Sequence, residues 1–171
     1  MSRKKHTVIE SPLGELTLVA AGAELAGVYF RHHWYRPDPA TFGPRDDEGF
    51  TETTRQLAEY FAGRRTDFEL AVRADGDGFQ RAVWKRIAAV QYGETTTYGD
   101  IARDMGDPSL AREVGAAVGR NPLSIVVPCH RVLGKGGTLT GYAGGLRRKR
   151  FLLDLEAGQD WLSVDPTVDG R

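Results

Sequence analysis

The chain has 171 residues, of which 40% are hydrophobic and 27% are charged, and its 23 basic and 23 acidic residues give a net charge of zero. This composition is typical of a globular protein with a packed core, and no apolar run approaches the roughly 18 residues that a membrane-spanning helix needs. A single cysteine excludes an internal disulfide and a cysteine-rich structural zinc site, and the basic residues 1–6 lead into no apolar segment such as a secretory signal contains.

The first part of the chain alternates between apolar and polar residues in the manner of β-strands. We predict an antiparallel meander of three strands over residues 7–10, 14–20 and 25–30, with short turns between them. A polar, proline-bearing loop follows over residues 32–47 and is expected to cross the surface.

This loop contains two adjacent histidines, His32 and His33. Because no third ligand follows at a suitable spacing, we interpret them as structural residues and not as metal ligands. Apolar spacing then predicts a helix over residues 51–61 that is ended by Gly63, and residues 68–72 predict one more strand.

A change of pattern marks a domain boundary in the polar, glycine-containing linker over residues 73–78. We place an N-terminal sheet domain at residues 1–75, a second domain at 78–160 and a tail at 161–171. The second domain opens with a helix that ends before Gly93, and its apolar residues fall on one face. They are Phe79, Val83, Trp84, Ile87 and Val90.

Two short helices follow, over residues 97–106 and 110–118, with Ser109 as the expected N-cap of the second. Two short helices joined by a tight turn predict a helix-turn-helix, whose second helix commonly contacts nucleic acid. Gly115 and its small neighbours make that helix slim on one side, which suits close approach to DNA or close packing against another helix.

Cys129 lies in the sequence Pro-Cys-His-Arg-Val over residues 128–132, where one sulfur stands beside a base and a guanidinium. The β-branched run 123–127 predicts a buried strand, which a proline ends at a bend where the thiol can face a cleft. The unperturbed pKa of a thiol is about 8.5, so a nearby base or cation is needed to form the reactive thiolate. His130 and Arg131 are candidates, although adjacent side chains on an extended segment point to opposite faces.

Charge is distributed unevenly along the chain. Residues 110–150 contain eight basic residues and one acidic residue, a net charge of +7 around the cysteine. We interpret this concentration as a surface that binds a polyanion.

The order of these features resembles that of the O6-alkylguanine-DNA alkyltransferases over residues 79–156. The shared features are the helix-turn-helix, an Asn-Pro turn at residues 121–122, the Cys129 pentad, a glycine-rich hairpin over residues 134–145 and a last helix that ends at Glu156. The resemblance implies an α/β (α+β) fold, in which a ribonuclease-H-like antiparallel sheet domain precedes a winged-helix DNA-binding domain.

The resemblance also implies a role for individual residues of a catalytic relay. Cys129 is similar to the alkyl acceptor, His130 to the base that activates it through a water, and Glu156 to the acid that orients this histidine. Asn121 is similar to the residue that braces the turn of the site, and Tyr98 to the tyrosine that donates a proton to the departing guanine.

Further residues match the family's substrate pocket and DNA-binding surface. Val127 and Cys129, with Tyr142 and Ala143, match positions that line the guanine pocket. Arg112 is similar to the arginine that replaces the flipped base in the stack. The residues expected to contact DNA are Tyr98, Ala111, Arg112, Gly115 and Arg120.

The implied function is direct reversal of DNA damage, in which an alkyl group moves irreversibly from O6 of guanine to Cys129, once per protein molecule. Activity toward O4 of alkylated thymine is left open. The expected partner is double-stranded DNA that contains O6-alkylguanine. We further expect a cytoplasmic monomer with no metal, no other cofactor and no membrane association.

Three other functions are alternatives to this one. A non-catalytic damage sensor of the alkyltransferase-like type would lack the acceptor cysteine, which is present here. A winged-helix regulator that senses alkylation through Cys129 would usually carry a dimerisation or effector segment. A Cys-His hydrolase would need an oxyanion hole and a water route to a thioester.

Overall fold

The computed structural model describes residues 3–158. Its N-terminal half contains a three-stranded antiparallel sheet formed by β1 (Lys4–Ser11), β2 (Gly14–Ala21) and β3 (Glu24–Phe30), in the order β1-β2-β3. The register between β2 and β3 shifts at Val19 and Ala20. The predicted meander is therefore confirmed. The tail expected at residues 161–171 lies outside the described residues.

One face of this sheet is covered by α1 (Thr51–Phe61). Leu57, Tyr60 and Phe61 of the helix are buried in the same core as the apolar residues of the strands. Gly63 follows the helix with a φ of 75°, a left-handed conformation that glycine adopts without strain, and its N–H donates to the carbonyl of Tyr60 at 3.0 Å. The predicted helix and its end are confirmed.

The strand predicted over residues 68–72 is not formed. This segment joins the sheet only at Leu25 of β3, whose N–H donates to Ala71 O and whose carbonyl accepts from Arg73 N, both at 2.8 Å. The chain then leaves the sheet toward the next helix, so the apolar pattern of the segment reflects packing against the core and not a continuous ladder.

The second half opens with α2 (Gly78–Ala88), which buries Val83, Trp84 and Ile87. Asp77 caps this helix reciprocally with Gln80: the Asp77 carboxylate accepts from Gln80 N at 2.8 Å, and Gln80 Oε1 accepts from Asp77 N at 3.0 Å. This capping box fixes where the helix begins.

A helix-turn-helix follows, as predicted. The short strand β4 (Thr96–Thr97) leads into α3 (Tyr98–Asp104), and a single-turn helix at Pro108–Leu110 connects it to α4 (Ala111–Gly119). Trp84 Nε1 donates to Ala117 O at 2.8 Å and thereby joins α2 to α4.

The N-cap predicted at Ser109 is wrong. No side chain caps α4, and Asp107 caps the single-turn helix before it, because its Oδ1 accepts from Ser109 N at 3.0 Å and from Ser109 Oγ at 2.6 Å. The longer acceptor side chain two residues earlier reaches the free N–H groups of the turn.

The strand predicted over residues 123–127 is also wrong. Leu123 makes an isolated bridge to Val28 of β3, and the chain then turns tightly, with Val127 N donating to Leu123 O at 2.8 Å. Ile125 has a φ of 74°, the left-handed region that β-branched residues rarely occupy. The segment is buried because it fills the core as a turn.

The glycine-rich hairpin predicted over residues 134–145 is replaced by a loop. Strand β5 (Val132–Leu133) pairs in parallel with β4, and beyond it Gly134 N donates to Thr138 O at 2.8 Å to close a turn. The glycines serve this loop, and no second strand pairs with β5 within residues 3–158.

The described chain ends with α5 (Leu146–Glu156), which packs Phe151, Leu152 and Leu155 into a core that extends through both halves. The architecture confirms the predicted α/β class, with an antiparallel sheet in the N-terminal half and a helical C-terminal half. Among the described residues, no helix combines the length and the hydropathy that crossing a bilayer requires.

Candidate active site

The cysteine lies in a single turn of helix over Cys129–Arg131, directly after Pro128. The three side chains therefore diverge around a tight helical turn and do not alternate along an extended segment as the sequence suggested. All three residues are buried, with exposed fractions of 2% for Cys129, 0% for His130 and 6% for Arg131. The sulfur is enclosed by the protein.

Glu156, at the end of α5, gathers three donors from distant parts of the chain. Its Oε2 accepts from His130 Nε2 at 2.7 Å and from Tyr60 Oη at 2.6 Å, while its Oε1 accepts from Arg131 Nε at 2.7 Å. Arg131 Nη2 reaches Oε2 as well, at 3.0 Å. Burial raises the pKa of Glu156, but the hydrogen bonds from His130, Arg131 and Tyr60 outweigh it and lower this pKa to about 2.

His130 is held as a neutral imidazole. Burial lowers its pKa, and the opposing attraction of Glu156 does not compensate. Since the imidazole is uncharged near neutral pH, the permanent charge of Arg131 and the hydroxyl of Tyr60 maintain the ionised state of Glu156. With Nε2–H donated to this carboxylate, Nδ1 carries the lone pair, and Nδ1 has no hydrogen-bond partner within residues 3–158.

The thiol of Cys129 is protonated at neutral pH, because burial raises its pKa above the ordinary value. A hydrogen bond from Asn121 and the charge of Lys149 oppose this effect. A buried thiol of raised pKa is unreactive until a base accepts its proton. The neutral imidazole of His130 is such a base.

Lys149 is a buried cation near the thiol, with no exposed surface. Its Nζ donates to the carbonyl oxygens of Val132 at 2.6 Å, Thr140 at 2.8 Å and Gly141 at 3.1 Å. Burial lowers the pKa of Lys149 to about 8, although Cys129 raises it in opposition. The lysine thus joins α5 to the strand after the cysteine and to the loop that leads to Tyr142.

Asn121 braces the turn before the cysteine. Its Nδ2 donates to Val127 O at 2.8 Å and its Oδ1 accepts from Leu123 N at 2.9 Å. Because Asn121 is buried, these bonds satisfy backbone groups that water does not reach.

Tyr98, at the start of α3, lies near the thiol. Its Oη donates to Thr140 O at 3.3 Å, and burial followed by proximity to Cys129 raises its pKa, so the hydroxyl keeps its proton. Tyr142 is fully enclosed, and burial together with Cys129 raises its pKa strongly. The structure therefore brings Tyr98 and Tyr142 to the same thiol.

The other two residues expected to line the guanine pocket, Val127 and Ala143, lie in the loops on either side of this thiol. Val127 and Ala143 are buried, with exposed fractions of 7% and 5%. The carbonyl of Ala143 accepts from Trp34 N at 3.0 Å, so the loop between β3 and α1 holds the pocket loop in place. The same loop contains His33, whose Nδ1 accepts from Phe30 N at 3.3 Å and whose pKa burial lowers to about 4.

A groove of about 740 Å³ runs between α3 and α4, and four of the five predicted DNA contacts line it. They are Tyr98, Ala111, Arg112 and Gly115. The groove also includes Lys135 from the loop after β5. Arg120 does not line this groove, because its guanidinium lies 3.8 Å from the ring centre of Tyr35.

The basic window over residues 110–150 contributes less surface charge than its composition suggested. Arg131, Arg148 and Lys149 are buried, and Arg148 donates from Nε to Leu13 O at 3.0 Å and from Nη1 to Gly144 O at 2.8 Å. The helical spacing of α5 indicates this burial, because residues 148, 149, 152, 155 and 156 fall on one face of the helix.

Sequence reasoning missed Tyr60 and Lys149 as parts of the site. In the sequence Lys149 is one member of a basic run, which predicts an exposed residue. Tyr60 was assigned only to the apolar face of its helix, and nothing in the local sequence connects it with a carboxylate 96 residues away.

Two family profiles together cover almost the whole described chain. Residues 4–74 match the ribonuclease-like domain of 6-O-methylguanine DNA methyltransferase, and residues 78–158 match the DNA-binding domain of the same family.

Full-length relatives are similar at high coverage. The chain is 45% identical to a methylated-DNA–protein-cysteine methyltransferase of Mycobacterium bovis over 151 residues, 88% of this chain and 91% of the relative. It is 42% identical to the protein of that name in Methanosarcina acetivorans, covering 88% of this chain and 97% of the relative.

A solved structure has the same fold. The structure of Mycobacterium tuberculosis OGT in complex with DNA superposes with a TM-score of 0.84 at 43% identity, covering 91% of this chain and 93% of that one.

Proposed function

The chain belongs to the 6-O-methylguanine DNA methyltransferase family, and on this basis we propose that it repairs DNA by moving an alkyl group from O6 of guanine to Cys129. The observation that carries the proposal is the turn in which a buried thiol precedes a neutral imidazole whose Nε2 is held by Glu156 at 2.7 Å. This arrangement supplies a nucleophile and an oriented base in one turn of chain.

Transfer begins with removal of the thiol proton. Because burial raises the pKa of Cys129, the thiolate has to be generated by a base, and Nδ1 of His130 accepts the proton through a bridging water. Glu156 stabilises the imidazolium that forms, and Arg131 acts only indirectly, by keeping this carboxylate ionised. The charge of Lys149 favours the thiolate in the same interval.

The sulfur then attacks the alkyl carbon bonded to O6. A carbon–sulfur bond forms as the carbon–oxygen bond breaks, and the electron pair of the broken bond goes to guanine. Tyr98 donates a proton to the departing base, so guanine leaves neutral. The proton that left the thiol restores the Tyr98 hydroxyl, and the reaction is balanced without a cofactor. The thioether product has no hydrolytic exit, so each molecule acts once.

The substrate base has to leave the duplex before it can reach an enclosed thiol. Flipping a stacked base costs a few kcal/mol. Arg112 is exposed in the groove between α3 and α4, where its guanidinium can occupy the space vacated in the stack. The flipped guanine would lie between Tyr98 and a pocket of Val127, Tyr142 and Ala143.

Other properties follow from this function. We propose double-stranded DNA with O6-alkylguanine as the partner and a monomer as the acting form, since one chain supplies every group of the relay. We also propose a cytoplasmic location, because a reducing compartment keeps the acceptor thiol free. Separate domains at residues 1–75 and 78–160 are supported by the irregular linker before α2 and by the two family profiles.

The direct test is mass spectrometry of the intact protein and of its peptides after mixing with a duplex that carries one O6-methylguanine. We expect one methyl group on the Cys129 peptide, saturating at one per protein. A Cys129→Ala variant should bind the duplex and gain no mass. Tight binding of the wild type without a mass change would instead identify a damage sensor or a regulator.

A further inference from the structure

The hydroxyl of Tyr60 lies within the catalytic relay although it comes from the N-terminal half of the chain. Tyr60 Oη donates to Glu156 Oε2 at 2.6 Å, and His130 Nε2 donates to the same oxygen at 2.7 Å. One carboxylate oxygen is therefore shared between the base of the relay and a tyrosine of α1.

Packing fixes the position of this hydroxyl. Tyr60 has an exposed fraction of 0%. Its ring contacts Phe61, Phe68 and Tyr92, with ring centres 5.5, 5.4 and 6.2 Å away. A ring enclosed on several sides has a restricted range of orientations, so the hydroxyl stays directed at Glu156.

We propose that Tyr60 is a positioning residue for alkyl transfer, because its hydroxyl shares Oε2 of Glu156 with His130 and limits how strongly the carboxylate holds the imidazole. This role rests on the proposed function, since it acts on the base of that reaction. Through this residue α1 contributes a side chain to the active site, and the N-terminal half of the chain directly affects the chemistry of alkyl transfer.

The physical argument concerns the charge on one oxygen atom. Three donors, from His130, Tyr60 and Arg131, divide the negative charge of Oε2, so each of them weakens the hold of this oxygen on the other two. Without the hydroxyl, Oε2 interacts more strongly with His130 and favours the imidazolium. The imidazole would then remain protonated to a higher pH, and a protonated imidazole cannot accept the thiol proton.

The charged groups around His130 come from the turn itself and from α5, and they are Cys129, Arg131, Lys149 and Glu156. The hydroxyls of Tyr92 and Tyr142 approach Glu156 from two other loops. Arg131 spans both carboxylate oxygens, and Lys149 is committed to three carbonyl oxygens, so neither takes the place of the Tyr60 hydroxyl. A Tyr60→Phe variant therefore removes one donor and leaves the others in place.

The experiment compares Tyr60→Phe with the wild type by single-turnover methyl transfer from an O6-methylguanine duplex, measured across pH. We expect the acidic limb of the rate profile to move up by about one pH unit, so that transfer slows by up to about tenfold on this limb and by less at neutral pH. An NMR titration of the His130 imidazole, which needs no substrate, should show its pKa rising in the variant.

Tyr92→Phe is the matched control. It removes a hydroxyl from the same aromatic cluster, but Tyr92 Oη donates to Leu155 O at 3.5 Å and not to Glu156. Its pH profile and its His130 titration should match those of the wild type. A Tyr60→Phe protein that is folded and less stable, with both curves unmoved, would overturn the proposal and leave Tyr60 a packing residue.

Two further measurements cover a Tyr60→Phe variant that does not fold and a wild type that transfers no methyl group. If Tyr60→Phe does not fold, 3-fluorotyrosine introduced at position 60 keeps the ring and strengthens the donor, so both curves should move to lower pH. Unmoved curves there would also overturn the proposal. If the wild type transfers no methyl group, the proposed function fails, while the His130 titration still decides whether Tyr60 acts on the imidazole.

Discussion

Asn121 Nδ2 lies 2.8 Å from the carbonyl oxygen of Val127, and this hydrogen bond closes the turn in which Ile125 is held at a φ of 74°. Replacing Asn121 with alanine leaves Leu123 N buried without its acceptor and removes one of the two donors to Val127 O, which keeps only Cys129 N at 2.8 Å. We expect Asn121→Ala to lower the free energy of unfolding by about 2–4 kcal/mol and to slow transfer, because a strained turn loses its brace.

Chemical denaturation and single-turnover transfer check this prediction. Ser109→Ala, which removes a hydroxyl from an exposed turn, is the control and should change both quantities little. Equal stability of the Asn121→Ala and Ser109→Ala proteins would contradict the bracing role.

Tyr98→Phe tests proton donation to the leaving base. The Tyr98 hydroxyl keeps its proton because burial raises its pKa. Removing it forces guanine to depart without a donor, and we expect single-turnover transfer to slow by about 10²-fold while DNA binding is retained. Tyr29→Phe, which alters a tyrosine stacked on Phe42, should transfer at the wild-type rate. Equal rates for both variants would remove Tyr98 from the mechanism.

Arg112→Ala tests base flipping. Arg112 is exposed in the groove between α3 and α4, so its loss should affect the duplex reaction and spare the chemistry. We expect transfer from an O6-methylguanine duplex to fall far more than transfer from the free modified base. Arg64→Ala, an exposed residue outside this groove, is the control for loss of one positive charge. Equal losses with both substrates would count against flipping.

Gly144→Ala tests the close contact between the pocket loop and the sheet. A Cβ at Gly144 would overlap the ring of Phe30, with Cε2 at 2.6 Å, and both ring and loop are buried. We expect a loss of about 1–3 kcal/mol in the free energy of unfolding and slower transfer, because Ala143 is displaced. Gly78→Ala, where a Cβ meets nothing within 4 Å, should be neutral or slightly stabilising. Thermal denaturation and transfer rates compare the two proteins.

The lowered pKa of Glu156 determines how the stability of the protein should change in acid. Its pKa falls from 4.5 in the unfolded chain to about 2 in the fold, so the native state resists protonation. The resulting stabilisation, up to about 3 kcal/mol, is fully present above pH 4.5 and is lost as the pH falls toward 2. Denaturation curves at a series of pH values check this.

Glu156→Gln is the variant for that comparison. It leaves Arg131 buried without its counter-charge, so we expect it to be less stable at neutral pH by about 3–5 kcal/mol. Between pH 4.5 and 2 its stability should fall less steeply than that of the wild type. Parallel curves would show that other carboxylates control the acid transition.

The sequence allowed the helices and the meander to be predicted because their periodicity is local. It misled at residues 123–127, where β-branched residues predicted a strand. The turn there depends on Asn121 and on a contact with Val28 of β3, neither of which is visible in the run itself.

The residues of the candidate site show the same contrast between local sequence and fold. Cys129 and His130 are adjacent and were found from their motif, and the resemblance added Glu156. The charge of Lys149 predicts an exposed side chain, yet this residue is buried and donates to three carbonyl oxygens. The contact between Tyr60 and Glu156 cannot be predicted from the local sequence, because it depends on a fold that brings the two halves of the chain together.

The enclosure of Cys129 also determines what happens to the protein between its synthesis and its one reaction. Peroxide and small electrophiles consume cysteines that are exposed and ionised, and a sulfur with 2% exposure and a raised pKa is neither. The acceptor is therefore preserved against oxidation and chance alkylation. Its chemical lifetime in the cell is set by how rarely a damaged base is delivered to it.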